Sequence, residues 1–376
     1  MYPIRRVSLI LTAGAVALTV AVPSMATAAP PPAAGTGRLV PLHSLGGPGS
    51  FATAMNERGD IIGASIDAAD NYRAVVWWQG RRTPTAVPVK GATAGAVNDK
   101  GHIAGSVPGG LFLWRSGSVR YLKRPAVASF GATFLNERDQ VAGTATDRND
   151  ASRAFVWQGG RMTMLATPAG MDSRAVGINN RGQVIGVLTR SGVSTERAVL
   201  WQRGRMTELG TLGGAGSTPT AINDRGQVAG TSAVAGSADE HPFLWQRGRM
   251  TDLLAGTDAT AGRVADLNEA GMMTGAATFG TGDSRPVLWR AGRMLDLSLP
   301  GHVGGGVDIN ERGDVTGSTW PDPQSTAVPF RWRKGQTTLF PEPVSDIAIT
   351  VIGIDRRGVV VVDQETSNGN FVLRSA

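Results

Sequence analysis

Four histidines, His43, His102, His241 and His302, are scattered along the 376 residues, and there is no cysteine. Thiolate nucleophiles, thiolate metal sites and disulfides are thereby excluded. The histidines do not stand at the spacing of a paired metal ligand. No Gly-x-Ser-x-Gly, phosphate loop or Asp-box occurs either, and the glycine clusters near 213–216 and 304–306 belong to turns. Two acidic runs could bind calcium or act as acid and base: Asp147-Arg148-Asn149-Asp150 and Asp239-Glu240-His241. Neither has the glycine spacing of a calcium loop, so both read as solvated loops. Trp320, in the loop Ser318-Thr319-Trp320-Pro321-Asp322-Pro323, is a better binding candidate than Trp78, with local packing as the alternative reading. No cofactor and no metal is expected.

These residues interrupt a repeat that runs down the chain. The string Ala-Ile-Asn-Asp-Arg-Gly-Gln-Val-Ala-Gly at 221–230 recurs with its asparagine at Asn56, Asn98, Asn136, Asn179, Asn223, Asn268 and Asn310, and with Asp355 in the eighth copy. Intervals are 42, 38, 43, 44, 45, 42 and 45 residues. Glycine follows three residues later in every copy except the third, where Asp139 stands. An apolar run then ends in Trp77, Trp114, Trp157, Trp201, Trp245, Trp289 or Trp332, with Leu373 in the last copy. Trp78 and Trp320 alone fall outside this pattern.

A period near 43 fits a propeller blade of four short strands, for which about 40–45 residues are usual. In the fifth copy strand a is 219–223, b 227–232, c 242–245 and d 249–253. Asn-Asp-Arg-Gly forms the a–b turn, with asparagine bonding its own backbone and glycine supplying positive φ. Small residues such as Ala52, Ala54, Ala94 and Ala96 suit the crowded innermost strand. Helical arrays fail, because no 3.6-residue period survives the frequent glycines. The repeated tryptophans are read as core between blades and the asparagines as turn residues.

The two ends complement one another. Residues 37–50 match 204–217, so an orphan strand d precedes the first copy, while the eighth copy lacks one. The expected fold is an all-β, eight-bladed β-propeller over residues 38–376, closed by that N-terminal strand, which leaves no open edge between the first and last blades. Seven blades, the alternative, would leave one copy unplaced.

Residues 1–28 have the features of a secretory signal peptide: Arg5-Arg6, an apolar stretch from Val7 to Val22, and Ala26-Thr27-Ala28 before the cleavage site. Thr12, Gly14 and Thr19 dilute the apolar stretch below what a membrane span needs, so no transmembrane segment is expected in the mature chain. Residues 29–37 form a Pro/Ala/Gly-rich leader expected to be flexible. Loss of Arg5 and Arg6 lowers the net charge of +7 to +5. Only four of the 37 basic residues are lysine, and a high isoelectric point by itself does not imply nucleic acid.

The run His241-Pro242-Phe243-Leu244-Trp245, followed by Gly248-Arg249-Met250-Thr251-Asp252-Leu253, resembles the HAF repeat of bacterial proteins described as extracellular. Leu209-Gly210-Thr211-Leu212-Gly213-Gly214 and Ala221-Ile222-Asn223 extend the resemblance, which covers essentially the whole mature chain. It implies export and a repeat fold, and brings no catalytic residue. Only one copy keeps the histidine, which Arg73, Arg153, Arg197 and Arg285 replace elsewhere.

In a propeller blade the a–b and c–d turns share one face, here the turn face, and the b–c loops and d–a links share the other, the loop face. The b–c loops vary most in length, and variable loops on a rigid scaffold commonly bind. The loop face, with the channel mouth, is the expected site: Tyr72, Asp147, Asp150, Glu196, Asp239, Glu240, His241, Asp283, Trp320 and Asp322. No catalytic residue is assigned. Around the c–d turns stand fourteen basic residues and no acid, among them Arg81, Arg161, Arg203, Arg293 and Lys334. The a–b turns nearly cancel, with eight bases and ten acids, and in the b–c loops acids outnumber bases. The expectation is a secreted, monomeric, non-enzymatic binding or scaffold protein for an extracellular ligand or protein, with an anionic cell-wall polymer as a further partner and no nucleic acid. The alternatives are a propeller-type hydrolase or lyase using loop-face carboxylates, and a purely structural envelope component.

Overall fold

The computed structural model describes residues 35–115, 117–122, 129–190, 192–237, 239–280, 282–321, 325–340, 348–366 and 369–375. Residues 1–34, which hold the expected signal peptide and most of the expected leader, and Asp322 lie outside them. Eight sheets follow one another along the chain, each with four strands in the order a-b-c-d and antiparallel neighbours. The protein is an eight-bladed β-propeller.

The last blade is completed as the sequence predicts. Leu39–Pro41 pairs antiparallel with Gly369–Ser375, in the register Leu39↔Ser375 and Pro41↔Leu373. Chain entry and chain end therefore share one sheet, and the closing strand takes the d position of blade 8. Leu42, immediately after it, is buried against Trp77 and Val372, and the Trp77 indole N–H donates to the His43 carbonyl at 2.9 Å. The end of the leader is also paired. Gly35–Thr36 adds a fifth, parallel strand outside blade 7, and the Gly37 N–H donates to Leu339 O.

The core lies between blades, each tryptophan-bearing strand c packing on a neighbour. Trp114 of blade 2 closes on Ile62, Ala74 and Val76 of blade 1, and Trp201 of blade 4 closes on Ala142 and Ala154 of blade 3. Six of the seven repeated tryptophans are buried and Trp332 is half-buried. Strand a is bulged in every blade, for example between Ala52 and Ala54, and between Val264 and Asp266. The glycine seven residues after the asparagine lies opposite that bulge. A Cβ on Gly63 would stand 1.9 Å from Phe51 O, and one on Gly275 2.0 Å from Arg263 O. Backbone contact leaves no room for a side chain at these two positions, whereas blade 8 carries Val362 at the corresponding place.

The asparagine turns are also fastened from blade to blade. Asn56 Oδ1 accepts the Asp60 N–H at 2.8 Å, closing its own turn, and its Nδ2 donates to Asn98 O at 2.7 Å. The same amide-to-carbonyl bond joins each successive blade as far as Asn310 Nδ2→Asp355 O at 2.8 Å. Seven junctions are tied this way. At the eighth, Arg356 N–H and Nε–H both donate to Glu57 O. The repeated asparagines are turn residues, and they lace the ring as well.

Candidate functional site on the turn face and axial channel

The residue after each asparagine faces the axis of the turn face: Glu57, Asp99, Glu137, Asn180, Asp224, Glu269, Glu311 and Arg356. From blade 3 to blade 7 these side chains accept the equivalent N–H of the preceding blade. Asp99 N donates to Glu137 Oε1 at 2.6 Å, Glu137 N to Asn180 Oδ1 at 2.7 Å, and Asp224 N to Glu269 Oε1 at 2.8 Å. The result is a collar of six carboxylates. Arg356 breaks it and reaches across to Asp99, Nη2 to Oδ2 at 2.5 Å. Glu57 beside it keeps one carboxylate oxygen buried with no hydrogen-bond partner. Burial first, then the charges of Glu311 and Asp99, push its carboxyl up to about 7.

Inside the collar, the channel is lined by the residues at and around two positions before each asparagine. That position is Ala54, Ala96, Phe134, Gly177, Ala221 and Gly353 in six blades, but Asp266 and Asp308 in the adjacent blades 6 and 7. The two carboxyls hydrogen-bond one another. Asp266 Oδ2 accepts the Ile309 N–H at 3.2 Å, and Asp308 Oδ2 accepts the Ile354 N–H at 2.7 Å. Both keep some exposure, through the channel. Burial holds Asp266 well above the usual carboxylate range, and the neighbouring Asp308 charge adds to that. Burial also raises Asp308, while the hydrogen bond from Asp266 opposes the rise. Two carboxyls in contact resist ionising together, so burial and proximity both favour the protonated form of the pair.

A cavity of about 640 Å³ opens beside them, walled by Ala54, Ala96, Val97, Phe134, Leu135, Ile178, Ile222 and Leu267 with Asp266. Its size is that of a small-molecule site, for which roughly 300–1,000 Å³ is typical. Asp266 supplies its acid, Thr53 and Thr133 its hydroxyls, and the rest of the lining is apolar. Chemically such a site can receive a cation or take part in proton transfer.

The rim has the opposite sign. Of the fourteen basic residues at the c–d turns and the closing strand, only Arg115 and Arg333 form ion pairs among the described residues, with Asp139 and Asp314. Arg81, Arg161, Arg203, Arg205, Arg247, Arg249 and Arg293 are exposed. Three strand spacings of about 4.8 Å put the rim some 14 Å outside the collar. That exceeds the Debye length of about 8 Å at physiological ionic strength, so acidic axis and basic rim act separately.

The loop-face residues singled out in the sequence fall on six different blades. Asp147 caps its own turn, accepting from Asn149 and Ala151 N–H, and Asp150 sits in that turn at φ 61°. Glu196 pairs with Arg174 and accepts from Thr218, and Asp239 bonds Ser237. Tyr72, 67% exposed, begins strand c of blade 1, as Glu240 does in blade 5. His241 Nδ1 lies 2.8 Å from Asp252 across the c and d strands. At the equivalent places Arg197 pairs with Glu208 and Arg285 with Asp296, so the histidine of the motif is one member of a cross-strand pair that arginine also fills. Asp283 borders a shallow pocket of about 360 Å³ with Arg285, His302 and Pro321, and the half-buried Trp320 precedes that proline. The structure gathers no larger group from this set. Asp266 and Asp308 went unselected by sequence, although two acids at a position otherwise Ala, Gly or Phe were there to be noticed.

No protein-family model matches the sequence, and no curated protein matches it. Solved structures do match. The β-propeller domain of the Trilobed protease from Pyrococcus furiosus, described as having an open velcro topology, aligns with TM-score 0.53 at 11% identity, over 78% of this chain and 96% of that one. A prolyl endopeptidase aligns with TM-score 0.55 at 11% identity, over 88% of this chain and 54% of its own. A puromycin-hydrolyzing peptidase from Mycobacterium tuberculosis gives 0.51 at 13% identity, over 88% and 61%. The chain thus spans little more than half the length of these peptidases. At such identity the likeness is one of fold. Here the ring is closed by the Leu39–Pro41 strand.

Proposed function

We propose that the protein is an exported binding protein whose ligand site is the axial channel, with the Asp266–Asp308 pair as its recognition group. The ligand class is a small organic cation: an ammonium group on an apolar body. The observation that carries this reading is Asp266 in the wall of a largely apolar cavity, with the Asp308 carboxyl against it. Burying two carboxyls in contact costs stability with no packing return, and strongly perturbed groups in a cleft mark functional sites. An ammonium entering the channel displaces the pair's proton and finds two carboxylates, while Glu57, Asp99 and Glu311 at the mouth favour its approach.

Calorimetry on the mature protein tests this with n-hexylamine, and with n-hexanol and hexanoate as uncharged and anionic controls. Saturable binding of the amine alone is expected, with proton release to buffer. In Asp266→Asn/Asp308→Asn the affinity should fall roughly 10- to 100-fold, the loss of one or two charge-assisted hydrogen bonds. Equal binding of hexanol, or undiminished binding by the double variant, would overturn the reading.

A second reading is favoured by the same pair, since a protonated carboxyl beside an ionised one is the minimal acid–base machinery of a hydrolase. The structural neighbours include peptidases, which is compatible with it. Turnover of peptide or ester substrates that disappears in the double variant would establish it in place of simple binding.

A further inference from the structure

A second concavity lies on the rim of the turn face, between blades 3 and 4, with a volume of about 640 Å³. Its walls include Gln158, Arg161 and Thr163 of blade 3 and Gln202 and Arg203 of blade 4, over a floor formed in part by Trp201. No acid lines it. Arg161, Arg203, Gln158, Gln202 and Thr163 are all exposed, and neither arginine is in an ion pair among the described residues.

A hydrogen-bond relay fixes the polarity of the groove. The Asn136 Oδ1 accepts the Gln140 N–H at 3.0 Å, which sets the direction of that amide. Its Nδ2 donates to Gln140 Oε1 at 2.7 Å, and Gln140 Nε2 in turn donates to Gln158 Oε1 at 2.8 Å. With its oxygen engaged from below, Gln158 offers its amide N–H groups outward. Two guanidinium groups, an amide donor and a hydroxyl then surround one concavity, and all can donate. Such a set selects an anion, and guanidinium groups match the oxygens of phosphate in particular. Arg205 stands on the same hairpin as Arg203, and Arg247 and Arg249 of blade 5 continue the positive rim beyond it. A chain carrying repeated charges would meet successive arginines.

We propose that this groove is the anchoring subsite for a linear phosphate-bearing polyanion of the cell envelope, which then follows the arginine rim. The site is separate from the axial channel, and its loss leaves amine binding there unchanged. The probe is long-chain polyphosphate, with random-sequence duplex DNA as the competing class of polymer. Fluorescence anisotropy of the mature protein is measured over a salt series. Arg161→Ala/Arg203→Ala is compared with Arg290→Ala/Arg293→Ala, which removes the same charge from the blade 6 rim. Gln158→Glu keeps an oxygen for Gln140 and converts the donor into an anion.

The groove variant and Gln158→Glu should each weaken polyphosphate binding at least tenfold. The arginine pair should also lower the slope of log affinity on log salt by about two. The blade 6 variant should stay within about threefold of the parent, as expected for rim charges that only steer. Thermal unfolding checks that each variant is folded; these side chains are exposed, so little change is expected. Equal losses in the two arginine variants would reduce the groove to one part of a diffuse charge and overturn the proposal. Indifference to Gln158→Glu, or DNA binding as tight and as dependent on Arg161 and Arg203, would overturn it too.

Discussion

At the residue scale the decisive feature is where two acids sit within a repeat. Asp266 and Asp308 occupy a position that is small or apolar in the six other blades, and the packing of blade 6 against blade 7 makes them neighbours. The sequence displays the substitution in each copy, but says nothing of contact between the two carboxyls until blades 6 and 7 are packed. Their raised pKa values make a pH prediction whose sign follows directly. A carboxyl that binds its proton more tightly folded than unfolded lowers stability as pH rises through the interval between the two values. Glu57, raised to about 7, does the same between about 4.5 and 7. The melting temperature should therefore fall from pH 5 to pH 8. Glu57→Gln should remove part of that fall, and Asp266→Asn/Asp308→Asn a further part. A parent profile that rises over this range, or variants with an unaltered slope, would contradict these assignments.

At the scale of the element, turns and pairings were largely legible, because each copy repeats the same local chemistry. The glycine after the asparagine is replaced once, by Asp139, and that residue adopts φ 59° while accepting from His102 and Arg115. The strand b glycine has a different cause, the backbone across the bulge, which no pattern of residue types reveals. Gly63→Ala should cost about 1–3 kcal/mol by overpacking. Gly80→Ala, at φ +75° with open space around it, should cost only about 1–2 kcal/mol of backbone strain. Chemical denaturation of the two variants measures the difference, and a smaller loss at Gly63 would refute the bulge account. The histidine of the resembling motif behaves as half of a cross-strand pair, so His241→Arg should change stability by no more than about 0.5 kcal/mol. The closing strand was legible from the match of 37–50 with 204–217, whereas the parallel Gly35–Thr36 pairing outside blade 7 had no such signal. Deleting residues 29–45 removes the closing strand, Leu42 and the partner of the Trp77 indole, and should lower the melting temperature far more than deleting 29–36. Comparable melting of the two truncated proteins would show that blade 8 does not need its borrowed strand.

At the scale of the whole molecule, one face carries two opposite fields, an acidic collar around the axis and an arginine rim outside it. Summing the a–b turns in sequence makes them nearly neutral, and that sum conceals the arrangement. The acids after each asparagine converge on the channel, and the strand spacing keeps the c–d arginines beyond screening distance. The same geometry explains why the loop-face residues stay apart, since residues on six blades are spread around a ring. The central claim is that the channel receives a cation on Asp266 and Asp308. It is tested most directly by a crystal structure of the mature protein grown with n-hexylamine. The account predicts the ammonium nitrogen within hydrogen-bond distance of both carboxylates, with the alkyl chain along the Phe134 and Leu135 wall. An amine bound elsewhere, with the Asp266–Asp308 hydrogen bond intact, would contradict it.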